Sequence, residues 1–374
     1  MKVAFYAPMK SPNHPTPSGD RRMARLFLQA LEMSGATTQV ISQFRSFDKA
    51  GDEVLQRRLR DEAEAEANAL IRGFEENPET KPDLFFTYHV YHKAPDWIGP
   101  KIAAALNIPY YIAEASHAPK QKNGPWKMGY DAAEKAIRAA TRILHMTQLD
   151  GACLQPLMTS SDQLVHFPPF IEPVPDHPSA DVVADWVQQA GGRADRKNLL
   201  AVGMMRDGDK FHSYQELVKT VPHLAGDDWQ LLIVGDGPRC PDVQALFAPF
   251  KEQVIFLGEQ SEQELAAIYE YADIYIWPAC GEAFGMAFLE AGRAGLPSVS
   301  CHIRGVPDVV EDGVSGRLVA EGDCVALATV ARNLLDNQDT LATLSVGACQ
   351  FVTKKRSLKA AALRLSDMIK EDIK

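Results

Sequence analysis

Short apolar runs alternate with longer segments of helical spacing along the whole chain. In the first half, six runs rich in β-branched and aromatic residues predict strands over 3–7, 38–42, 84–87, 110–113, 143–147 and 164–167. In the second half, six more predict strands over 199–203, 231–234, 254–257, 274–277, 298–301 and 318–319. Such alternation is typical of βαβ units and parallel sheets. We therefore expect an α/β protein with two Rossmann-like, doubly wound domains that face a cleft.

A proline-rich segment over 167–175 separates the two series of strands. Proline lacks the N–H group that a sheet requires, so this segment is the natural linker. The chain has 374 residues, about twice the length of a typical domain. We place a first domain over 1–170 and a second over 176–354, and we assign the final segment 355–374, with a helical pattern over 358–373, to the first domain.

Composition narrows the class of protein. The chain is 46% hydrophobic and 24% charged, which is typical of globular proteins. The strand pattern begins directly after Met1 without a signal peptide, and no apolar run is long enough to span a bilayer, so we expect a cytoplasmic protein. The six cysteines form no C-x-x-C pair, which argues against a disulfide framework and against zinc.

Charge argues against nucleic acid as a partner. The formal net charge is −10, and the acidic excess lies in the second half, because residues 1–175 carry 20 basic and 20 acidic side chains. The exception is a cluster of Lys120, Lys122 and Lys127 around Trp126. This cluster could meet an acidic acceptor or make at most peripheral contact with a membrane, but a solvated loop is the simpler interpretation.

The stretch after the predicted strand 274–277 combines a tight loop, a helix start near Phe284 and two acidic residues. In an open α/β sheet, ligands bind beyond the carboxyl ends of strands, and free N–H groups at a helix start favour an anion. Glu282 lies in this crevice, and Glu290 follows about two turns along the helix, so they can contact different parts of one ligand. Taken alone, Glu282 is equally well explained as an acid that complements the helix dipole.

Two cations, Arg206 and Lys210, follow the first strand of the second half. At a strand-to-helix turn they are well placed to neutralise a diphosphate, although surface charges with local partners would look the same. Asp207 and Asp209 lie between and beside them in a D-x-D pattern that suits a metal clamp. Because a cation flanks each acid, we favour turn and helix-cap roles for the two aspartates.

In the first half, a loop over 9–20 rich in Pro and Gly precedes the amphipathic helix predicted over 21–33. Ser18 or Asp20 could cap that helix. Gly19 would let a ligand approach the backbone closely, while a flexible surface loop explains the same pattern.

Three histidines follow strands of the first half. His117 comes after the strand at 110–113, and His89 and His92 come after the strand at 84–87, so all three are expected at the carboxyl edge of the sheet. A lone histidine is more often structural than catalytic. His89 and His92 have no third ligand in the sequence around them, which argues against a zinc site.

Taken together, these segments resemble the GT-B glycosyltransferases of family 4, which are retaining transferases that use nucleotide sugars. The motifs that carry the resemblance cover roughly 198–320 in a fixed order: Arg206 with Lys210, 231–238, 254–258, 269–273, the E-x7-E spacing of Glu282 and Glu290, 295–297 and 305–316. The first half matches only in outline, through the Gly19 loop and the strand before His117.

The resemblance implies a nucleotide-diphospho-sugar donor held mainly by the second domain. The donor-contacting residues that it implies are Gly19, Arg206, Lys210, Leu257, Gly258, Glu282, Phe284, Gly285, Met286 and Glu290. Among them Glu290 would hold the ribose, Arg206 and Lys210 the diphosphate, and Glu282 the sugar. The catalytic residues that it implies are His117, Glu282, Arg206 and Lys210, and His117 would lie beside the sugar. The resemblance also implies that no metal or other cofactor is needed, and that the C-terminal helix crosses back to the first domain.

The leading hypothesis is a retaining, metal-independent, hexosyltransferase-like enzyme that acts in glycan or glycoconjugate assembly. Its acceptor would be a glycan, a lipid-linked molecule or a small molecule. Two alternatives remain open from the sequence: a nucleotide-sugar-binding protein without transferase activity, and a sugar-nucleotide epimerase of the GT-B fold.

Overall fold

The computed structural model describes residues 1–16 and 18–373, in which the chain forms two compact units. The first unit comprises Met1–Pro168 and the segment that begins at Leu358, and the second comprises Pro169–Ser357. Pro17, in the predicted 9–20 loop, and Lys374, at the end of the predicted last helix, lie outside the described residues.

The first unit is a parallel sheet with helices packed against it. Its strands are β1 (Lys2–Tyr6), β2 (Thr37–Val40), β3 (Leu84–Val90), β4 (Tyr110–Ala115), β5 (Arg142–His145) and β6 (Leu164–His166). Its helices up to the linker are α1 (Gly19–Met33), α2 (Glu53–Glu76), α3 (Gly99–Leu106), α4 (Lys127–Ala139) and α5 (Gln148–Leu154). In the described residues the sheet has six strands in the order β2-β1-β3-β4-β5-β6.

The second unit repeats this architecture. Its strands are β7 (Lys197–Val202), β8 (Trp229–Val234), β9 (Val254–Gly258), β10 (Ile274–Trp277), β11 (Ser298–Cys301) and β12 (Gly316–Val319). Its helices are α6 (Ala180–Gln189), α7 (Asp209–Thr220), α8 (Cys240–Phe247), α9 (Glu262–Tyr271), α10 (Met286–Arg293), α11 (Val306–Val309), α12 (Cys324–Asp336) and α13 (Gln338–Lys355). Within the described chain this sheet also has six strands, in the order β12-β11-β10-β7-β8-β9.

The predicted fold class is confirmed, with two doubly wound parallel sheets. All twelve predicted strands are present, and β10 and β11 have the predicted bounds. The central strands are buried on both faces because helices cover them, so their sequences are almost continuously apolar, as in the fully buried β8 and β10. In the described part of the chain, no helix combines the length and the apolar character needed to cross a bilayer.

The last helix, α14 (Leu358–Asp372), belongs to the first unit. It begins where the predicted helical pattern begins, three residues into the predicted segment 355–374, because α13 ends at Lys355. The Asp372 carboxylate accepts hydrogen bonds from the Tyr111 hydroxyl at 2.6 Å and from Arg142 Nη2 at 2.8 Å. Both partners lie on strands of the first sheet, so the chain end is fastened to that sheet.

Each sheet has one point where the strand order reverses. In the first unit β1 and β3 are neighbours, and the chain leaves them toward opposite edges of the sheet. In the second unit β7 and β10 are neighbours, and their connections lead to β8 on one side and β11 on the other. Ligands of open α/β sheets bind at such points, beyond the carboxyl ends of the strands. The topology therefore marks one candidate crevice in each unit.

Candidate active site

In the second unit, two helices start at the reversal point. Helix α7 follows β7 and begins after Gly208, and α10 follows β10 and begins after Gly285. The first N–H groups of a helix have no carbonyl partner inside it, and a glycine at the cap position provides no side-chain acceptor for them. Two helix starts with this character on neighbouring strands favour a negatively charged ligand.

The predicted start of the second helix, near Phe284, is wrong by two residues. Gly285 has a φ of +78°, which lies outside the helical region, so α10 begins only at Met286. Phe284 and Met286 are half-buried on either side of the buried Gly285. The loop therefore brings the predicted amides of 284–286 to the helix start.

Lys210 and Glu282 form an ion pair across this crevice. The Lys210 Nζ atom lies 2.5 Å from Glu282 Oε2, and the side chains are 21% and 17% exposed. Lys210 Nζ also lies 5.6 Å from the centre of the Trp277 ring, at the end of β10. The structure thus brings together two of the predicted site residues, 72 positions apart in sequence.

The loop that carries Glu282 packs tightly on the start of α7. Gly281 has a φ of +65°, and a Cβ there would lie 2.2 Å from the Asp209 carboxyl carbon. The Gly281 carbonyl accepts a hydrogen bond from Arg304 Nη1 at 3.2 Å. Only glycine fits this conformation and this contact without rearrangement. The close packing therefore fixes the position of the loop that carries Glu282.

Glu290 lies on α10, and its position is set by Tyr269, a residue of the 269–273 motif for which no role was predicted. The Tyr269 hydroxyl donates a hydrogen bond to Glu290 Oε2 at 2.9 Å, and Tyr269 is buried. The pKa of the nearby Tyr275 phenol is raised, first by burial and then by the charges of Glu282 and Glu290. The two predicted carboxylates therefore both lie near one buried ring at the carboxyl edge of the sheet.

Arg206 is exposed on the loop between β7 and α7, with its backbone N–H bonded to the Met204 carbonyl at 3.1 Å. The neighbouring Asp207 pairs with Arg239, whose Nη1 lies 3.1 Å from Asp207 Oδ1. The Arg239 guanidinium also lies 4.0 Å from the centre of the Phe211 ring. Arg239, the residue before α8, is therefore a further cation beside this loop, and no role was predicted for it.

The two aspartates of the D-x-D pattern have different partners. Asp207 faces Arg239, whereas Asp209 packs against Gly281. Among residues 1–16 and 18–373, no group of three or more His, Cys, Asp and Glu side chains is arranged to hold a metal ion. Asp207 lies in the predicted turn before α7, but the predicted helix-cap role is wrong, because the cap position is Gly208 and no side chain accepts a hydrogen bond there.

Leu257 and Gly258 end strand β9, two strands away from β7. The Leu257 carbonyl accepts from Gln260 Nε2 at 2.5 Å, and the Gly258 carbonyl accepts from the Gly235 N–H at 2.8 Å. Each carbonyl oxygen has a second lone pair, so these bonds leave room for a ligand donor. The role of both residues near a base stays a prediction.

In the first unit, the predicted cap of α1 is Ser18, whose Oγ accepts from the Arg21 N–H at 3.2 Å. Gly19 is the first residue of the helix, and a Cβ there would have no atom within 4 Å. The alternative cap, Asp20, instead places its Oδ1 3.0 Å from His89 Nδ1. Gly19 is therefore structurally replaceable, and its predicted contact with a ligand phosphate stays a prediction.

His89 joins the N-terminus of α1 to the ends of β3 and β4. Its Nδ1 lies 3.8 Å from Glu114 Oε1, and the Tyr88 hydroxyl donates to Glu114 Oε2 at 2.5 Å. His89 and Glu114 have φ values of +64° and +59°, uncommon for residues other than glycine. Burial opposes protonation, but the Glu114 charge and the Asp20 hydrogen bond outweigh it and raise the pKa of His89 to about 9. His89 therefore pairs with Asp20 in the first turn of α1, at the reversal point of the first sheet.

His117 has other contacts. Its Nε2 lies 2.9 Å from the Tyr130 hydroxyl and 3.3 Å from Glu134 Oε2, both on α4. The structure thus places His89, and not His117, in contact with the Gly19 helix start. The strand order identifies His89 as a site candidate, because His89 lies on β3 at the reversal point of the sheet. The role of His117 beside a sugar stays a prediction.

Comparison with known proteins agrees with this architecture. The family model described as Glycosyl transferases group 1 matches residues 196–337. Sulfoquinovosyl transferase SQD2 of Arabidopsis thaliana is 30% identical over 139 residues, which are 36% of this chain and 27% of that protein. Phosphatidyl-myo-inositol mannosyltransferase of Mycobacterium leprae (strain TN) is 33% identical over 167 residues, 44% of each chain. The chain thus spans less than half the length of these two curated relatives.

The fold is matched over a much longer stretch. The crystal structure of HepE from Anabaena in complex with UDP has a TM-score of 0.73 with this chain, at 15% identity, and the match covers 99% of this chain and 100% of that one. At this identity the likeness concerns the fold alone. Residues 196–337 therefore match a glycosyl transferases group 1 domain, and the two Rossmann-like units have the fold of GT-B-like structures.

Proposed function

We propose that this protein is a retaining glycosyltransferase that moves a sugar from a nucleotide-diphospho-sugar to an acceptor hydroxyl. The observation that carries the proposal is the Lys210–Glu282 pair, which lies where two helices begin at the reversal point of the second sheet. The names of the matched relatives describe sulfoquinovosyl and mannosyl transfer, and the matched structure of HepE contains UDP. These names support a sugar-nucleotide donor.

The donor is proposed to lie along the carboxyl edge of the second sheet. Lys210 binds the diphosphate as a point charge, helped by the first amides of α10 and by the exposed Arg206. Glu290, held by Tyr269, accepts hydrogen bonds from the ribose hydroxyls. From β10 to β9 is three strand spacings, or roughly 14 Å, which gives an extended nucleotide room to reach Gly258.

In the proposed reaction, the acceptor hydroxyl oxygen bonds to the anomeric carbon as the bond from that carbon to the diphosphate oxygen breaks. The hydroxyl proton passes to an oxygen of the departing diphosphate. Because attack and departure use the same face of the sugar, the configuration is retained. Lys210 and the amides of Gly285 and Met286 stabilise the charge that develops on the leaving group, and Glu282 orients the sugar through its hydroxyls.

The reaction is proposed to need no metal ion. Lys210 and Arg206 supply positive charge where a divalent ion would otherwise bind the diphosphate. Asp207 and Asp209 have separate partners, Arg239 and Gly281, which supports roles other than a shared clamp. A chelator should therefore leave the rate unchanged.

The test is incubation of the full chain with a panel of UDP-, GDP- and ADP-sugars, with and without EDTA. We expect one donor to be hydrolysed slowly without acceptor, at the same rate with EDTA, and not measurably by Lys210→Ala. Conversion of a donor into its epimer without nucleotide release would contradict the proposal, as would firm binding without turnover under any acceptor. A strict requirement for Mg²⁺ or Mn²⁺ would overturn the metal-independent mechanism.

A further inference from the structure

The first unit contains an open cavity of about 500 Å³ at the carboxyl edge of its sheet. Its walls come from the segments that follow β1, β2, β3 and β4, four neighbouring strands. The apolar part of the wall is formed by Met9, Phe47, Tyr91 and Trp126. A cavity of this size with aromatic walls suits a small molecule that presents an apolar or ring-shaped face.

The cavity also has a basic rim, formed by Lys49, Lys93 and Lys120. In the described part of the chain, none of these three lysines has an acidic group within ion-pair distance. Lys93 Nζ instead lies 4.6 Å from the centre of the Trp126 ring. Three cations without acidic partners are notable in a protein of net charge −10, and they leave the rim electrostatically unbalanced.

His92 also lines the cavity, beside these lysines. The pKa of His92 is lowered by burial and then by the charges of Lys93 and Lys120. A further cation, Arg45, lies 4.6 Å from the centre of the Phe47 ring, and its Nε donates to the Met9 carbonyl at 2.9 Å. The cationic groups therefore surround the apolar wall.

The walls are held in place by one buried acid, Asp48, which is 2% exposed. Its backbone N–H donates to the Lys93 carbonyl at 2.8 Å, and its carbonyl accepts from Trp126 Nε1 at 2.9 Å. Its Oδ2 accepts from Gln56 Nε2 at 2.9 Å. Three separate segments are thus tied together, so a ligand would find the cavity already formed and would lose little free energy in ordering it.

We propose that this cavity binds the acceptor of the reaction, and that the acceptor is a small molecule carrying a phosphate or carboxylate on an apolar or ring-shaped body. The lysines of the rim would bind the anion, and the aromatic wall would cover the body. The proposal deepens the proposed function, on which it rests, by naming the chemical class of the acceptor.

The test uses 1-naphthyl phosphate as the probe and 1-naphthol as its uncharged match, titrated calorimetrically into the full chain. We expect the phosphate to bind at least tenfold more tightly than the naphthol. The Lys93→Gln/Lys120→Gln double variant should lose at least tenfold in affinity for the phosphate, while Lys101→Gln, on α3 away from the cavity, should match the wild type. Equal affinity for the two probes, unchanged affinity in the double variant or no binding of the phosphate would each overturn the proposal.

Two further arms separate this site from the donor site and from a membrane. Titration with UDP, GDP and ADP should give the same affinities for the wild type and the double variant. Absence of nucleotide binding would contradict the proposed function while leaving the probe result intact.

The second experiment tests for a membrane. Sedimentation of the protein with vesicles of phosphatidylglycerol should be no greater than with vesicles of phosphatidylcholine. Sedimentation that needs phosphatidylglycerol and is lost in the double variant would overturn the small-molecule proposal in favour of a membrane surface.

Discussion

Lys210 Nζ lies 2.5 Å from Glu282 Oε2, so the cation at the start of α7 and the anion in the loop between β10 and α10 neutralise each other. Both side chains are only about one-fifth exposed, so water solvates each charge poorly. Each charge therefore depends on its partner for stabilisation. A donor diphosphate would replace Glu282 as the partner of Lys210. Under the proposed function, this exchange frees Glu282 to bind the sugar. Binding of the donor would thus place Lys210 at the diphosphate and Glu282 at the sugar together.

Replacing Lys210 with alanine should lower kcat/KM by about 100-fold or more, because one preorganised charge on the leaving group is lost. The matched control is Lys219→Ala on the same helix, since Lys219 is 61% exposed and pairs with Glu216. Steady-state kinetics with the identified donor is the measurement. A Lys210→Ala enzyme within threefold of the wild type would show that this charge does not act on the leaving group.

Tyr269 is expected to act through Glu290. Tyr269→Phe removes the hydrogen bond to Glu290 Oε2, which is worth about 1 kcal/mol, so nucleotide affinity should fall by roughly fivefold with little change in kcat. Tyr271→Phe, on the same helix, is the control and should bind like the wild type. Calorimetric titration with nucleoside diphosphate separates the two. Equal affinity for all three proteins would remove Tyr269 from the binding site.

Strand positions could be predicted from the sequence because the signal is local. β10 and β11 are short apolar runs that end at residues unable to extend them, and their predicted bounds are confirmed. The start of α10 was misplaced because the positive φ of Gly285 is set by loop packing, which residue types alone do not reveal.

The contacts of the site required the structure. The pairing of Lys210 with Glu282 spans 72 residues, and the hydrogen bond from Tyr269 to Glu290 links two helices. A role in the site was predicted for three of these four residues, but motif spacing carries no information on which side chains meet. His89 shows the same limit, since its role beside Gly19 depends on a strand order that spacing does not give.

Gly19 offers a test that separates folding from function. A Cβ at Gly19 would meet no atom within 4 Å, and alanine favours a helix more than glycine by up to about 1 kcal/mol, so Gly19→Ala should not lower the melting temperature. The family resemblance implies that the donor phosphate contacts the backbone at Gly19. The Cβ of alanine would then prevent this close approach, so kcat/KM should fall by roughly tenfold or more. An active Gly19→Ala enzyme would remove this contact from the account.

His89 should make stability depend on pH in the alkaline range. Its pKa is raised to about 9 in the folded protein, against about 6.5 in the unfolded chain. The folded state therefore binds this proton more tightly, and the stabilisation is complete below about pH 6.5 and lost as the pH rises through 9. The acids that face the imidazole are Asp20, Glu114 and Asp150.

The measurement is the melting temperature between pH 7 and pH 10 for the wild type and His89→Gln. The wild type should lose more stability over this range than the variant, since other groups that titrate there are common to both. Parallel curves would show that His89 is not charged in the folded protein.

The central claim is that a nucleoside diphosphate binds where β7 and β10 end, between Lys210 and Glu290. The most direct measurement is the shift in melting temperature of the full chain with UDP, GDP and ADP, repeated on the Lys210→Ala/Glu290→Ala double variant. The account predicts that at least one nucleotide raises the melting temperature of the wild type by several degrees, and that the double variant shows no shift. A shift that persists in the double variant, or no shift with any nucleotide, would contradict it.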